Sequence, residues 1–217
     1  MERVIEKPLL VIGATSGIGK LTMESALQRG MPVRAFARSA DSLPEHDLLQ
    51  RIAGDARQAE DVARALDGAG AVIVALGIRE RLAMLWEDER LFSDATAILL
   101  AEMANSGVTR ALFVTGFGAG RSRSAMSAIE RLGHGAVLGR VYADKTRQEH
   151  LIEASDTDWT IARPVILTNR PASGRYKVLE DPATWRNGLI SRADVAAYLI
   201  DAVAQGWHMR QDVVLTR

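Results

Sequence analysis

Hydrophobic residues in this chain fall into short unbroken runs separated by stretches of helical periodicity, the alternation expected of buried parallel strands joined by helices. Leu9-Leu10-Val11-Ile12 is the first run, and the helical stretch after it reaches about Arg29 before Gly30 stops it. Val33–Ala37 reads as the second strand, residues 51–55 as a short third ending in Gly54-Asp55, and residues 71–77 as a continuous apolar fourth. Helices are expected over 59–66, closed by Gly68, and over 91–106, where Ile98, Leu99, Ala101, Met103 and Ala104 are the apolar material and Gly107 the stop. A fifth strand over 111–115 runs straight into Gly116-Phe117-Gly118-Ala119-Gly120. Residues 141–154 then predict a long helix and 159–164 a sixth strand, ended by Pro164. After a turn-rich stretch at 169–174 come a short strand at 176–179, a capping-box start at Ser191-Arg192-Ala193-Asp194 ahead of a helix over 195–204, and a last strand at 212–216.

Two stretches carry weaker patterns. Residues 79–90, with Met84, Leu85 and Trp86 set among charges, read equally as a mobile flap or a surface helix, and 121–140 read as a partly helical excursion. No internal repeat, long linker or low-complexity tract interrupts the series. The expected architecture is therefore a single-domain, Rossmann-type α/β fold over residues 1–217: a doubly wound parallel sheet with helices on both faces. Its pocket would be formed by the loops at 116–140 and 164–190.

The first strand-helix junction carries the strongest chemical signal. Gly13, Gly17 and Gly19 stand in G-x-x-x-G-x-G spacing: the first permits the tight turn, the second close approach of backbone to ligand, the third close packing of helix on sheet. Unpaired N–H groups and the positive dipole end at such a helix start favour a diphosphate, with Thr15 and Ser16 as hydroxyl donors and Ile18 in the same turn. Together with the strand at Val33–Ala37 this completes a dinucleotide-binding β-α-β unit. At the end of that strand an acid would prefer the free ribose hydroxyl of NAD; Arg38-Ser39 stands there instead, suited to the 2′-phosphate of NADP(H). Asp55 is placed either to accept the adenine amino group or to cap the next turn. Leu76 and Gly77, at the end of the fourth run, would leave room for the nicotinamide ribose.

Composition narrows the partners. With 27 basic and 27 acidic residues the formal net charge is zero, so neither nucleic acid nor an anionic membrane is an expected partner; a small-molecule substrate is, and the chain would be a monomer or small homo-oligomer. Cysteine is absent, which removes disulfides and thiolate chemistry and suits a reducing cytoplasm. The apolar run after the charged first residues is far too short to span a bilayer. His46, His134, His150 and His208 show no metal-ligand spacing, so no metal is expected.

Taken together, Gly13-Ala-Thr-Ser-Gly17-Ile-Gly19, Arg38-Ser39, Gly54-Asp55, Val114-Thr115-Gly116, Lys145, Asp158-Trp-Thr-Ile-Ala-Arg-Pro164 and Ile190-Ser-Arg-Ala-Asp-Val195 resemble the atypical short-chain dehydrogenase/reductases, the NAD(P)H-binding proteins that include biliverdin-IXβ/flavin reductase and NmrA-like regulators. The resemblance implies a cofactor lying across the carboxyl ends of the strands, with Lys145 and Thr115 at the nicotinamide ribose, and Gly116, Phe117, Tyr142, Arg163 and Pro164 around the acceptor. It also exposes departures. Classical members carry a tyrosine four residues before the lysine, a position held here by Val141, while Tyr142 lies one residue out of register, about 100° around the helix. The serine usual after strand five is replaced by Thr115 and Gly116. Lys145, Tyr142 and Thr115 are thus the candidate catalytic residues of an NADPH-dependent reductase acting on a conjugated acceptor such as a flavin, quinone or enone. The alternatives are an NADP(H)-sensing regulator without turnover and a sugar-nucleotide epimerase or dehydratase.

Overall fold

The computed structural model describes residues 7–77, 90–126 and 128–217, apart from the side chains of 128–138. The stretch expected as flap or surface helix, 79–90, lies outside the described residues except for Arg90. The elements run β1 (Leu9–Ile12), α1 (Gly17–Gln28), β2 (Val33–Ala37), β3 (Leu49–Ala53), α2 (Ala59–Leu66), β4 (Ala71–Val74), α3 (Leu91–Ser106), β5 (Arg110–Val114), α4 (Ala128–Glu153), β6 (Asp158–Pro164), β7 (Ile166–Thr168), β8 (Lys177–Leu179), β9 (Leu189–Ser191), α5 (Arg192–Gln205) and β10 (Gln211–Thr216). Eight strands form one sheet in the order β3-β2-β1-β4-β5-β6-β10-β8, parallel throughout except for β8, which runs against β10. The order reverses between β1 and β4, and ligands of open α/β sheets bind at the carboxyl ends of such a switch point.

Why each strand is a continuous apolar run is visible in its two faces. Leu9, Val11, Val33, Ala35, Ile73, Leu112 and Ala162 pack with Ile18, Met23 and Ala26 of α1 and Val195, Tyr198 and Leu199 of α5. Leu10, Ile12, Phe36, Val72, Val74, Phe113 and Ile161 face Val62 and Leu66 of α2, Leu99 and Met103 of α3, and Ile152 of α4. Both faces of the central strands are covered, so alternation gives way to unbroken hydrophobicity.

Several boundaries differ from those read in the sequence, most by a single residue, and four have a physical reason. The third strand is Leu49–Ala53 rather than 51–55, because its register against β2 (Val33 beside Leu49, Ala37 beside Ala53) is set by pairing and not by apolar content. The fourth strand stops at Val74, three residues early, and leaves Leu76 and Gly77 in the irregular segment that follows it. The helix expected over 141–154 is only the second half of α4, which begins at Ala128. Gly133, Gly135 and Gly139 weaken the local signal by about 1 kcal/mol each, yet extending a formed helix adds a hydrogen bond per residue. α5 starts at Arg192, since the Ser191 hydroxyl already accepts from the Asp194 N–H at 2.9 Å. A two-stranded parallel sheet of β7 and β9 was not anticipated; Ile166 and Leu167 lie beside Leu189 and Ile190. The Asp194 carboxylate accepts from the Ser173 and Gly174 N–H groups at 2.8 and 3.0 Å and so ties the turn-rich segment to the start of α5.

Candidate dinucleotide site and its buried charge network

The turn after β1 continues both neighbouring ladders: the Gly13 N–H donates to Phe36 O and the Ala75 N–H to Ile12 O, each at 2.9 Å. Gly13 has φ +87°, and a Cβ there would lie 2.6 Å from Ala75 O. A Cβ on Gly19 would lie 2.2 Å from Gly13 O, so the first turn of α1 packs directly on the loop it leaves. Gly17, at φ +56°, faces open space within 4 Å. Ser16 is the N-cap of α1 and makes no side-chain capping bond among the described residues, the first turn holds no acidic residue, and Ser16 and Gly17 are exposed. Free N–H groups, an uncommitted hydroxyl and the dipole's positive end thus share one open concavity, which fits a diphosphate.

Arg38 and Ser39 are exposed at the end of β2, and the Ser39 hydroxyl lies 3.5 Å from that of Thr15, which places them on the rim of the same concavity. Ile18 is buried beneath it. Asp55 accepts from the Arg57 N–H at 2.9 Å and pairs with the Arg57 guanidinium at 3.4 Å. Its carboxylate therefore serves the turn it stands in; the Arg57 backbone bond leads the effects that hold it below the usual carboxylate pKa, with the charge of Arg38 also felt. Leu76 is half-buried and Gly77 exposed beside the glycine loop.

At the end of β5 the chain meets α4. The Lys145 ammonium donates to Thr115 O at 2.6 Å and sits 4.8 Å from the centre of the Phe92 ring and 5.9 Å from that of Tyr142. Burial lowers its pKa to about 8, against the carboxylates of Glu149 and Asp144, which pull it upward. The Tyr142 hydroxyl reaches Gly116, where a Cβ would come within 2.9 Å of it. Although one position out of the usual register, Tyr142 and Lys145 do converge on the β5 edge. Burial, and then the Glu149 charge, raise the Tyr142 pKa, so the phenol stays protonated at neutral pH. Val141, at the position of the missing tyrosine, is buried.

Of the five residues expected around the acceptor, Gly116, Phe117, Arg163 and Pro164 are buried and Tyr142 is half-buried. Gly116, Phe117 and Pro164 form the floor of the β5 and β6 ends, with the Phe117 N–H donating to Pro164 O at 3.1 Å. Arg163 requires a correction of a larger kind, because its side chain is 0% exposed and turned into the protein. There its Nε and Nη2 donate to Glu149 at 3.0 and 2.8 Å and its Nη1 pairs with Asp212. Burial opposes the charged form of Arg163, but Glu149 and Asp212 more than offset it and the pKa is raised. The Thr115 hydroxyl likewise points inward, donating to Glu149 Oε1 at 2.6 Å. Asp212 also pairs with Arg121, and Arg121 and Arg163 lie 5.2 and 5.1 Å from the Trp185 ring centre. Glu149 and Asp212 escaped the sequence reading; a carboxylate one helical turn after Lys145 was the available signal. At the same edge Ile166 and Leu189, side by side in the small sheet, are 57% and 52% exposed and present the apolar surface that the buried four do not.

A cavity of about 530 Å³, lined by Arg121, Glu153, Trp159, Glu180, Arg210, Gln211 and Asp212, opens beside the first residues of β6 and β10. It contains none of the glycine-loop residues and lies away from the switch point.

A family model described as NAD(P)H-binding matches residues 13–206, from the first glycine of the loop to the end of α5. The chain belongs to this NAD(P)H-binding family. An uncharacterised chloroplastic protein of Arabidopsis thaliana is 29% identical over 210 residues, covering 92% of this chain and 72% of that protein. Among solved structures, the anaerobilin reductase ChuY of Escherichia coli O157:H7 is 27% identical with a TM-score of 0.80, and the alignment covers 96% of each chain. A short-chain dehydrogenase/reductase of Veillonella parvula, solved with NADP, shares the fold at a TM-score of 0.81 and 18% identity, over 97% of this chain and 94% of that one. These likenesses agree with the atypical short-chain dehydrogenase/reductase pattern of the sequence and with a nicotinamide cofactor. Among the described residues no helix is long and apolar enough to cross a membrane.

Proposed function

We propose that this chain is an NADPH-dependent reductase that passes a hydride to an extended, electron-poor conjugated acceptor, of which a linear tetrapyrrole or a flavin is the type. The observation that carries the reading is the convergence, along one sheet edge, of an open phosphate cradle at Gly13–Gly19, an exposed Arg38-Ser39 pair on its rim, and Lys145 at the end of β5. Gly17, Gly19, Ser16 and Thr15 hold the diphosphate; Arg38 and Ser39 take the 2′-phosphate; Leu76, Gly77 and Lys145, the last held on the Thr115 carbonyl, place the nicotinamide ribose. When bound, the reduced nicotinamide supplies a hydride, two electrons, and a proton from solvent completes reduction of the acceptor.

The acceptor class follows from what the site lacks as well as from what it has. A carbonyl reductase needs a phenol poised to give up its proton, and here burial keeps the Tyr142 proton on while Val141 fills the usual tyrosine position. A conjugated system that takes hydride, at the flavin N5 or at a bridging carbon of a linear tetrapyrrole, spreads the added charge over its π system and has no such need. Ile166 and Leu189 offer adjacent exposed apolar side chains of the kind such an acceptor covers, and the 27% identical ChuY is an anaerobilin reductase.

The test is calorimetric titration with NADPH and NADH, then absorbance of the reduced nicotinamide on the same sample after adding flavin, quinone, enone and linear tetrapyrrole acceptors. Acceptor-dependent oxidation supports the reductase. Tight binding without oxidation under every acceptor overturns it in favour of a redox-sensing regulator, the reading that Val141 at the tyrosine position supports. Arg38→Ala is expected to weaken NADPH by about 10–100-fold, as loss of a charge-assisted contact would, and NADH by much less. Equal weakening of both would remove Arg38 from the 2′-phosphate.

A further inference from the structure

Lys145 is held by an arrangement the family motif does not describe. Its ammonium is given to a main-chain oxygen, Thr115 O, and the same threonine's hydroxyl is committed to Glu149. Glu149 sits one helical turn beyond Lys145 on α4, on the same face. It is 1% exposed and fixed from the far side by two hydrogen bonds from Arg163, which Asp212 anchors in turn. The loop after β5 is moulded to this carboxylate. A Cβ on Gly120 would lie 1.9 Å from Glu149 Oε2, and the Gly120 N–H is held by Thr146 Oγ1 at 3.0 Å.

We propose that Glu149 is the positioning residue for Lys145: by binding the Thr115 hydroxyl it fixes the carbonyl that receives the ammonium, and its Arg163-anchored carboxylate is the counter-charge that the ammonium faces. This rests on Lys145 serving the nicotinamide ribose as proposed above. The groups around the ammonium, among the described residues, are few. Asp144 on α4 is committed to the Phe92 and Ser93 N–H groups at 2.8 and 3.4 Å and pairs with Arg147. α3 presents the Phe92 ring, α4 also the Tyr142 ring, β5 the Thr115 oxygen, and β6 contributes Arg163 behind Glu149. Glu149 is thus the carboxylate whose place is tied to the lysine's own acceptor.

The arrangement can be read in the cofactor-free protein. Lysines are few (Lys7, Lys20, Lys145 and Lys177), so side-chain NMR of lysine labelled at Cε resolves them, with Lys145→Met giving the assignment. In the wild type Lys145 is expected to titrate near 8. Glu149→Gln keeps an acceptor for the Thr115 hydroxyl and removes the charge, so the Lys145 midpoint should fall by roughly one unit, the Coulomb effect of a charge one turn away in partly buried surroundings. The NADPH Kd should rise at pH 8 more than at pH 6, a split that loss of packing alone would not produce. Thr115→Val keeps the carbonyl, the charge and the approximate volume; it should weaken NADPH several-fold while moving the Lys145 midpoint less than Glu149→Gln does. If Glu149→Gln fails to fold, Thr115→Val still decides. An unmoved midpoint in a folded Glu149→Gln protein, or a Thr115→Val protein unchanged in both readouts, overturns the proposal. Absence of NADPH binding by the wild type would sink the proposed function, and the apo titration would then still report on the coupling by itself.

Discussion

Arg163→Met is expected to cost about 3–5 kcal/mol of folding stability, the typical cost of breaking a buried ion pair from one side. The substituted side chain keeps the stem that fills the space between β6 and α4, so the effect isolates the charge. Arg163 is 0% exposed and neutralises two carboxylates at once, Glu149 at 1% and Asp212 at 3%. Removing it leaves Glu149 the Thr115 hydroxyl as its hydrogen-bond partner among the described residues, with the Lys145 charge nearby, and leaves Asp212 with Arg121. Since a domain's whole stability is about 5–15 kcal/mol, the melting midpoint should drop by roughly 10 °C.

The pH dependence of that loss has a definite sign. Burial works to raise the Asp212 pKa, but the hydrogen bonds and charges of Arg121 and Arg163 bring it below its ordinary value. A carboxylate with a depressed folded pKa contributes stability above its unfolded pKa of about 4 and loses it as pH falls through the folded value. Without Arg163 the folded pKa of Asp212 moves back up, and protonation relieves part of the penalty. The difference between wild type and Arg163→Met should therefore be full at pH 6–7 and shrink below about pH 4. Chemical denaturation at the two pH values measures it. A cost under about 1 kcal/mol at neutral pH would mean that water or rearrangement satisfies both carboxylates.

Gly19→Ala should have the largest effect on cofactor binding. The added methyl would lie 2.2 Å from Gly13 O and 2.8 Å from Gly13 C. Both obstacles are backbone, so no rotamer change relieves them; either α1 moves off the sheet or the loop opens, at about 1–3 kcal/mol for overpacking. Either response spreads the N–H groups proposed to cradle the diphosphate, and NADPH affinity is expected to fall about 100-fold, equivalent to about 2.7 kcal/mol. Gly17→Ala makes a useful contrast. Its methyl meets no protein atom within 4 Å, so its stability cost is the strain of a left-handed φ of +56°, about 1–2 kcal/mol. Calorimetry and thermal melting of the two variants side by side separate packing from ligand contact. Retained affinity in Gly19→Ala would place the diphosphate elsewhere.

What the sequence determined by itself was everything local in origin. The unbroken apolar runs announced strands covered on both faces, and Gly30, Gly68 and Gly107 marked helix ends where they occur, because a residue at positive φ is a backbone requirement written in one letter. The glycine spacing gave the strand-to-helix turn and its open cradle for the same reason. The start of the third strand lay outside that information: nothing in Leu49-Gln50 itself distinguishes strand from loop, and only pairing with Val33-Arg34 makes it one. The first half of α4 was hidden by its glycines. The fate of Arg163 was the deepest omission. An arginine beside a proline at the carboxyl end of a strand reads as a pocket cation, and whether it faces ligand or core depends on Glu149, fourteen positions earlier, and Asp212, forty-nine later. Burial of a charge is decided by which opposite charges the fold delivers to it, and that is a property of the assembled sheet and helices. The same holds for Tyr142 and Lys145: their spacing sets their angle around the helix, but their convergence on the β5 edge depends on how α4 lies across the sheet.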